Sequence, residues 1–360
     1  MPPTTANTRL KVFTSLQAGR AIAAIIVVFH HCGVILNNPK YWHTSWAEYV
    51  YCGRSGVEIF FVLSGIVILY AHTRDIGNPA KLGSYLWKRT RRIYPIYWIV
   101  MLATMPVFVL IPSFGRGYER QPMVILQSIL LLPLQSMNRV LPVSWTLFHE
   151  IMFYAVFSTV ILNRRIGAAV VTVWIAASAY ALVFPFANPV VAAYLSPLHL
   201  LFAFGMGVTL FVRRYSIPGW PIALAGLAGF IVCCVRDNQI QDDNYMPLAV
   251  AYGAFATLML CGAMLMEQRG QLRSPAWLVL IGDASYSIYL VHFPVVSAGA
   301  KVLYPIWKHF KTPLIVPYLL LVILGMALGL VVHLLVEKPL LAWMSKPKQV
   351  APKEIPAASV

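Results

Sequence analysis

The sequence predicts an all-α polytopic membrane protein, a bundle of about ten transmembrane helices with one extra short apolar segment that is re-entrant or interfacial. Three observations carry that prediction. Hydrophobic residues make up 59% of the 360 and charged residues only 11%, where soluble domains run near 25% charged. The mean hydropathy is +0.71, more apolar surface than one soluble core of this length can bury. The apolar residues also fall in runs long enough to cross a hydrocarbon layer, which takes about 20 residues of helix.

These runs lie, in order, at 15–36, 55–72, 92–112, 144–163, 167–186, 196–212, 218–235, 246–266, 276–299 and 315–336. The first lacks a small-residue cleavage site and reads as a retained membrane helix rather than a signal peptide. Pro122–Leu134 is apolar but too short to cross. An even number of spans puts both termini on one face. Arg74, Lys81, Arg164, Arg165, Arg213, Arg214, Arg269 and Arg273 fall on that same face, and the positive-inside tendency makes it the cytoplasmic one. Lys301, Lys308 and Lys311 run against the trend. The net charge of +16 is accounted for by these short basic connections, which argues for a lipid bilayer as partner and against nucleic acid. The chain divides into a cytoplasmic tail over 1–14, a membrane domain over 15–340 and a flexible, Pro-, Ala- and Lys-rich tail over 341–360.

The five cysteines form no CxxC pair, so neither a zinc site nor a redox motif is indicated. Cys32 and Cys52 fall near one membrane face, a spacing compatible with a disulfide. There is no internal repeat and no inverted pair of Gly/Pro-broken helices, which would favour a transporter. There is also no GxSxG and hence no nucleophile elbow.

Polar residues inside the spans are the candidates for chemistry, because an ionisable group at bilayer depth is costly and usually faces a cavity or a partner. Arg20 and His31 lie in the first run. Their eleven-residue offset is three turns plus about 20°, so they share one helix face, roughly 16 Å apart. An imidazole that titrates near neutrality suits the role of general base. His30 points about 100° away and reads as a helix–helix hydrogen-bonding residue. Arg89 and Arg92, in KRTRRIYPIYW, share a face at the cytoplasmic entry to the third span, where guanidinium forks can grip phosphate oxygens. Glu58 enters the second span from the outer side, and Ser64–Gly65 further along it suits close helix packing. Glu150, in PVSWTLFHEIMF, sits at a depth comparable with His31, where it could orient that ring or bind a sugar hydroxyl; His149 points elsewhere. Asp283 and His292 lie on opposite faces of their helix and read as fold-stabilising.

Together these stretches resemble the acyltransferase 3 family of integral-membrane O-acyltransferases. The matching pieces are GRAIAAIIVVFHH, GVEIFFVLSG, RTRRIYPIYW, SWTLFHEIMFY, LFAFGMG, GDASYSIYLVHFP and VEKPL, which occur in the family's order over residues 15 to 340. Glu58 stands where many members have Asp, and Ile66 where many have Phe or Tyr. The resemblance implies transfer of an acyl group, usually acetyl, from cytoplasmic acyl-CoA to a carbohydrate hydroxyl at the outer face of a bacterial inner membrane. Acetyl-CoA is then a co-substrate and no metal is required. The acceptor would be an exopolysaccharide, a lipid-linked glycan or a lipo-oligosaccharide; through LQAGRAIAA and HEIMFY the chain resembles the exopolysaccharide and nodulation-factor acetyltransferases. Carried over, His31 becomes the catalytic base, Arg20 its partner in the donor channel, and Arg89 and Arg92 the CoA-phosphate contacts. The absence of an appended hydrolase-like domain suggests a stand-alone enzyme. A reading from another class is a transporter or flippase of a lipid-linked glycan that uses the same polar stripe as a pathway.

Overall fold

The fold, a computed structural model, is described for residues 13–44, 49–111, 114–240 and 245–345. It is a helical bundle in which the described residues include no strand. Ten helical segments are long and apolar enough to cross a membrane: Thr14–Asn37, Tyr51–Asp75, Pro79–Leu110, Pro142–Leu162, Arg164–Val183, Pro189–Arg214, Trp220–Gln239, Met246–Gln268, Ala276–Phe310 and Ile315–Met344. Each overlaps one of the ten runs read from the sequence. The expected N-terminal tail lies almost wholly outside the described residues, as does 346–360 of the C-terminal tail.

The helices run, in order, α1 (Thr14–Asn37), α2 (Gly56–His72), α3 (Leu82–Leu110), the short α4 (Pro122–Leu130) and α5 (Trp145–Leu162). After α6 (Arg164–Val183) and the six-residue α7 (Pro189–Tyr194) come α8 (His199–Arg214), α9 (Trp220–Ile240) and α10 (Met246–Gln268). The bundle closes with the long α11 (Ala276–Phe310) and with α12 (Ile315–Val332), which runs through a π-turn at His333–Glu337 into α13 (Lys338–Ser345). Helix α1 is central: 61% of its apolar window is buried, against 22% for Arg164–Val183 and Trp220–Gln239. Those two face outward, as lipid-facing helices must.

Close helix contacts rest on missing side chains. A Cβ on Gly65 would lie 2.2 Å from Phe202 O, and one on Gly205 would lie 2.0 Å from Val62 O. Helices α2 and α8 therefore cross nearly backbone to backbone, the packing role expected of Gly65. At the start of α1, the orphan N–H groups of Thr14 and Ser15 donate to Glu267 of α10, each at 2.8 Å. A carboxylate at a helix N-terminus satisfies those donors and complements the dipole.

The segment from Pro122 is a nine-residue helix that does not cross. It enters beside the middle of α3. Tyr97 donates to Ser128 O (2.8 Å), Trp98 to Ile129 O (3.0 Å) and Tyr94 to Leu130 O (3.1 Å). These carbonyls belong to the last turn of α4, where only Ser128 O among the three also accepts a local backbone bond, from Leu131 N at 3.1 Å. Backbone that stops short at membrane depth survives only where protein supplies such partners, so the re-entrant alternative is the one realised. Gln127, fully buried, then donates to Ser136 Oγ and Asn138 O, holding the return loop that leads into α5. All five cysteines are free thiols; no disulfide joins Cys32 to Cys52.

Candidate functional site

A cavity runs between α1, α2, α3, α5 and α11, lined by Arg20, Ser64, Arg89, Arg92, Glu150 and Ser285 among apolar and aromatic side chains. It holds about 840 Å³ of empty space, its open mouth included. Its lining on α2 extends from Val57 to Ile68, a rise of about 16 Å at 1.5 Å per residue. At one end stand Arg89 and Arg92, in the first half of α3. At the other stand Val57, Phe60, Thr146 and Tyr289, near the opposite face of the bundle.

Each cation is held by a separate device. Arg20 Nε donates to Ser285 Oγ at 3.1 Å. That reach depends on Gly282, whose absent Cβ would lie 2.0 Å from Gln17 O, so α11 can lie directly on α1. Arg89 Nη2 donates to His72 Nε2 at 3.1 Å, and His72 Nδ1 then donates to Asp75 at 2.7 Å. Arg89 also lies over the rings of Tyr85 and Tyr154, at 5.9 and 5.8 Å, while its Nε is buried without a partner. Arg92 approaches Glu337 at 3.9 Å; that carboxylate is itself fixed by Ser287 and His333, at 2.7 and 2.8 Å. Arg91 turns away and binds Ser345 Oγ of α13 at 2.9 Å.

Glu150 projects into the same cavity. It accepts a hydrogen bond from the Tyr154 hydroxyl, one turn on, and another from Ser64 Oγ at 3.3 Å. No hydrogen bond joins it to His31 among the described residues, so the expected role of orienting that imidazole is not seen. Ser64 therefore does more than pack. His149, as expected, points elsewhere: its Nδ1 meets His199 Nε2 at 3.0 Å, and Trp174 stacks on His199 at 4.3 Å.

His31 does not line the cavity. Its Nδ1 lies 3.1 Å from Val27 O and 3.0 Å from Nε2 of His292. Between this pair and the cavity stand Tyr289 and Phe60, whose rings are 5.9 Å apart; the Tyr289 ring is also 5.9 Å from that of His292. Tyr289 is anchored by its hydroxyl, which donates to Val143 O at 2.9 Å and meets Thr146 Oγ1 at 2.9 Å. Of the two polar residues on α11 read together as fold-stabilising, His292 is fully buried beside His31 whereas Asp283 is exposed. They do occupy opposite faces, but only one faces the core.

Glu58 stands apart from the cavity, in a network at the end of the bundle opposite the described termini. It accepts from Tyr245 at 2.9 Å, and Arg54 lies 3.5 Å from the Tyr245 ring centre while pairing with Asp237. Burial and the Glu58 charge hold the Tyr245 hydroxyl well above the usual phenol range, so it stays a donor. The network ties together the ends of α2, α9 and α10. Among the described residues no group of three or more His, Cys, Asp or Glu is placed to hold a metal ion. The sequence reading missed His72, Asp75 and Ser285. It also passed over Glu337 as a partner for Arg92, although that residue stands in the VEKPL stretch already singled out.

A ten-span bundle holds a guanidinium-lined cavity and, beside it, a buried imidazole pair. The chain matches a family model described as an acyltransferase domain over residues 13–336, and it belongs to that family: it is a multi-pass membrane acyltransferase. It is 28% identical over 302 residues to the exopolysaccharide production protein ExoZ of Rhizobium meliloti (strain 1021), covering 80% of this chain and 90% of that one. A shorter similarity, 32% over 102 residues, relates it to nose resistant to fluoxetine protein 6 of Caenorhabditis elegans, covering 24% of this chain and 12% of that protein. No solved structure matches the chain at a significant level.

Proposed function

We propose that the protein takes an acetyl group from cytoplasmic acetyl-CoA and transfers it to a hydroxyl of an exported carbohydrate, an exopolysaccharide in the first instance, at a bacterial inner membrane with both termini cytoplasmic. The observation that supports this most is the cavity itself. It begins at two arginines suited to phosphate oxygens, runs along about 16 Å of α2 and ends near the opposite face. That span suits the extended pantetheine arm of an acyl-CoA. The side assignment draws on the basic connections at Arg74, Lys81, Arg164, Arg165, Arg213 and Arg214; the acceptor class draws on similarity to an exopolysaccharide production protein.

In this reading Arg89 and Arg92 hold the donor's phosphates, and the thioester lies between Arg20 and the Phe60–Tyr289 wall. Glu150, fixed by Tyr154 and Ser64, accepts a hydrogen bond from the substrate. His31, on the other side of the wall and six residues before the end of α1, meets the acceptor arriving from the outer face. The side chains of Phe60 and Tyr289 must part for the two to react. His31 Nε2 takes the hydroxyl proton, the oxygen attacks the thioester carbonyl and the C–S bond breaks. The proton returns to the leaving thiolate, which gives an acetyl ester and free CoA.

The test is transfer from radiolabelled acetyl-CoA by the purified protein in liposomes, with a glycan extract as acceptor. Label on glycan with wild type and none with His31→Ala is the expected result. Wild-type turnover by a folded His31→Ala variant overturns the role of His31. Glycan translocation that needs no acyl donor would make the protein a transporter.

A further inference from the structure

The acyl-transfer reading leaves His292, the buried titratable side chain in hydrogen-bond contact with His31, without a task. The hydrogen-bond polarity around it follows from the fact that a carbonyl only accepts. His292 Nδ1 lies 3.0 Å from Ile288 O, so it carries a proton, and the neutral ring offers a lone pair at Nε2. That lone pair points at His31 Nδ1, 3.0 Å away, which is also 3.1 Å from Val27 O. The His31 Nδ1–H is therefore shared between a carbonyl of its own helix and the second imidazole, and the His31 lone pair is on Nε2.

Val27 O is sufficient to fix that tautomer. His292 adds something a carbonyl cannot, because it is itself a base. No carboxylate lies within ion-pair or hydrogen-bond distance of His31 among the described residues; its ring neighbours are His30, His292 and Phe293, at 5.2, 5.0 and 5.2 Å. In hydrolytic triads an acidic side chain stabilises the imidazolium that forms during reaction. Here an imidazole occupies that position. It is wholly buried, where a polar side chain is retained at a cost unless it is paired.

Resting on the reading of His31 as the base, we propose that His292 is a positioning residue that shares the proton His31 acquires. When His31 Nε2 takes the acceptor's proton, the Nδ1 proton moves towards His292 Nε2, and one positive charge is spread over two rings. When the thiolate leaves, the charge withdraws and the proton on His31 Nε2 passes to sulfur. One proton enters the pair and one leaves. The other titratable or charged groups around the pair are His30 and Cys32 on α1, Tyr51 and Arg54 from the turn before α2, Asp237 of α9 beyond them, Tyr289 of α11, and Tyr318 of α12, which donates to Phe29 O at 3.1 Å.

The experiment compares wild type, His31→Ala, His292→Gln and His292→Leu in liposomes, measuring kcat and the KM for acetyl-CoA across pH. His292→Leu is expected to lower kcat at least tenfold while KM stays within twofold. It should also move the acid limb of the profile to lower pH, because protonated His31 loses its partner and gives up its proton more readily. His292→Gln, whose amide oxygen accepts the Nδ1–H but takes no proton, should recover part of the rate and fall between the two in its acid limb. A role in folding alone would lower the rate by one factor at every pH and leave the limb in place. That result, or wild-type kinetics in either variant, overturns the proposal; should His292→Leu fail to fold, the His292→Gln profile decides. His31→Ala separates the two claims: if it is inactive while the His292 variants behave as wild type, His31 remains the base and only the sharing is lost.

Discussion

Removing the guanidinium groups one at a time offers the sharpest test of whether this end of the cavity holds the donor's phosphates. A hydrogen bond to a charged group contributes about 1.5–3 kcal/mol, and about 1.4 kcal/mol is a factor of ten in binding. Each arginine that grips phosphate is thus worth about 10- to 150-fold in donor affinity. The structure ranks the two. The Arg92 side chain is 33% exposed and already faces Glu337, so water and that carboxylate weaken its hold, and Arg92→Ala belongs near tenfold. Arg89 is locked by the His72–Asp75 pair, and its buried Nε has no protein partner, so Arg89→Ala belongs towards the upper limit. Arg89→Lys keeps the charge but loses the fork and should fall between. The measurement is the Kd for CoA by calorimetry on the purified protein, together with KM and kcat for acetyl-CoA. The loss should appear in Kd and KM, with kcat changed less than threefold. An Arg89→Ala protein that binds CoA within twofold of wild type would refute the assignment of this end of the cavity to phosphate.

Three further outcomes follow from single contacts. Tyr154→Phe removes the hydroxyl that donates to Glu150 and should lower kcat about 10-fold, in line with a loss of roughly 1.5 kcal/mol for a hydrogen bond to a charged group, with CoA binding unchanged in the same calorimetric assay. Tyr289→Ala opens the wall beside Phe60, so the ratio of butyryl to acetyl transfer should rise; an unchanged ratio would mean that the acyl group is not held there. Gly205→Val would place a Cβ 2.0 Å from Val62 O. Forcing such an overlap into a packed interface costs about 1–3 kcal/mol or more, visible as a lower midpoint of thermal unfolding in detergent.

Much of this arrangement is legible in the sequence because the bilayer imposes a length and a polarity on each segment. The ten spans follow from apolar run length alone, and the spacing of Arg89 and Arg92 correctly places both on one face. Pairings across helices are not legible in that way. Helical geometry puts Asp283 and His292 on opposite faces, but it cannot say which face meets α1; packing buries His292 and leaves Asp283 exposed. For the same reason Arg20 and His31, on one stripe of α1, end up on different sides of a wall formed by α2 and α11. Nothing in the spacing of α1 encodes Phe60 or Tyr289. The Arg89–His72–Asp75 chain was closer to hand: His72 and Asp75 are three residues apart at the end of an apolar run, a pattern that places both on one face.

The charge balance of the cavity leads to a last test. Three guanidinium groups and one carboxylate line it, with Glu337 behind Arg92 as a partial counter-charge. Such an excess of positive charge in a low-dielectric interior is unfavourable unless an anion completes it. A bound CoA would supply that anion through its phosphates, whereas an acetyl-pantetheine thioester, with the same reactive end and no phosphate, would not. Wild type should therefore prefer acetyl-CoA over acetyl-pantetheine by at least 100-fold in kcat/KM, and added salt should erode that preference. In the Arg89→Ala/Arg92→Ala double variant the preference should collapse to within about fivefold, because the lost interaction is the one the shorter donor never made. If the double variant slows both donors equally and keeps the preference, the arginines support the fold rather than the donor, and the phosphates must bind elsewhere.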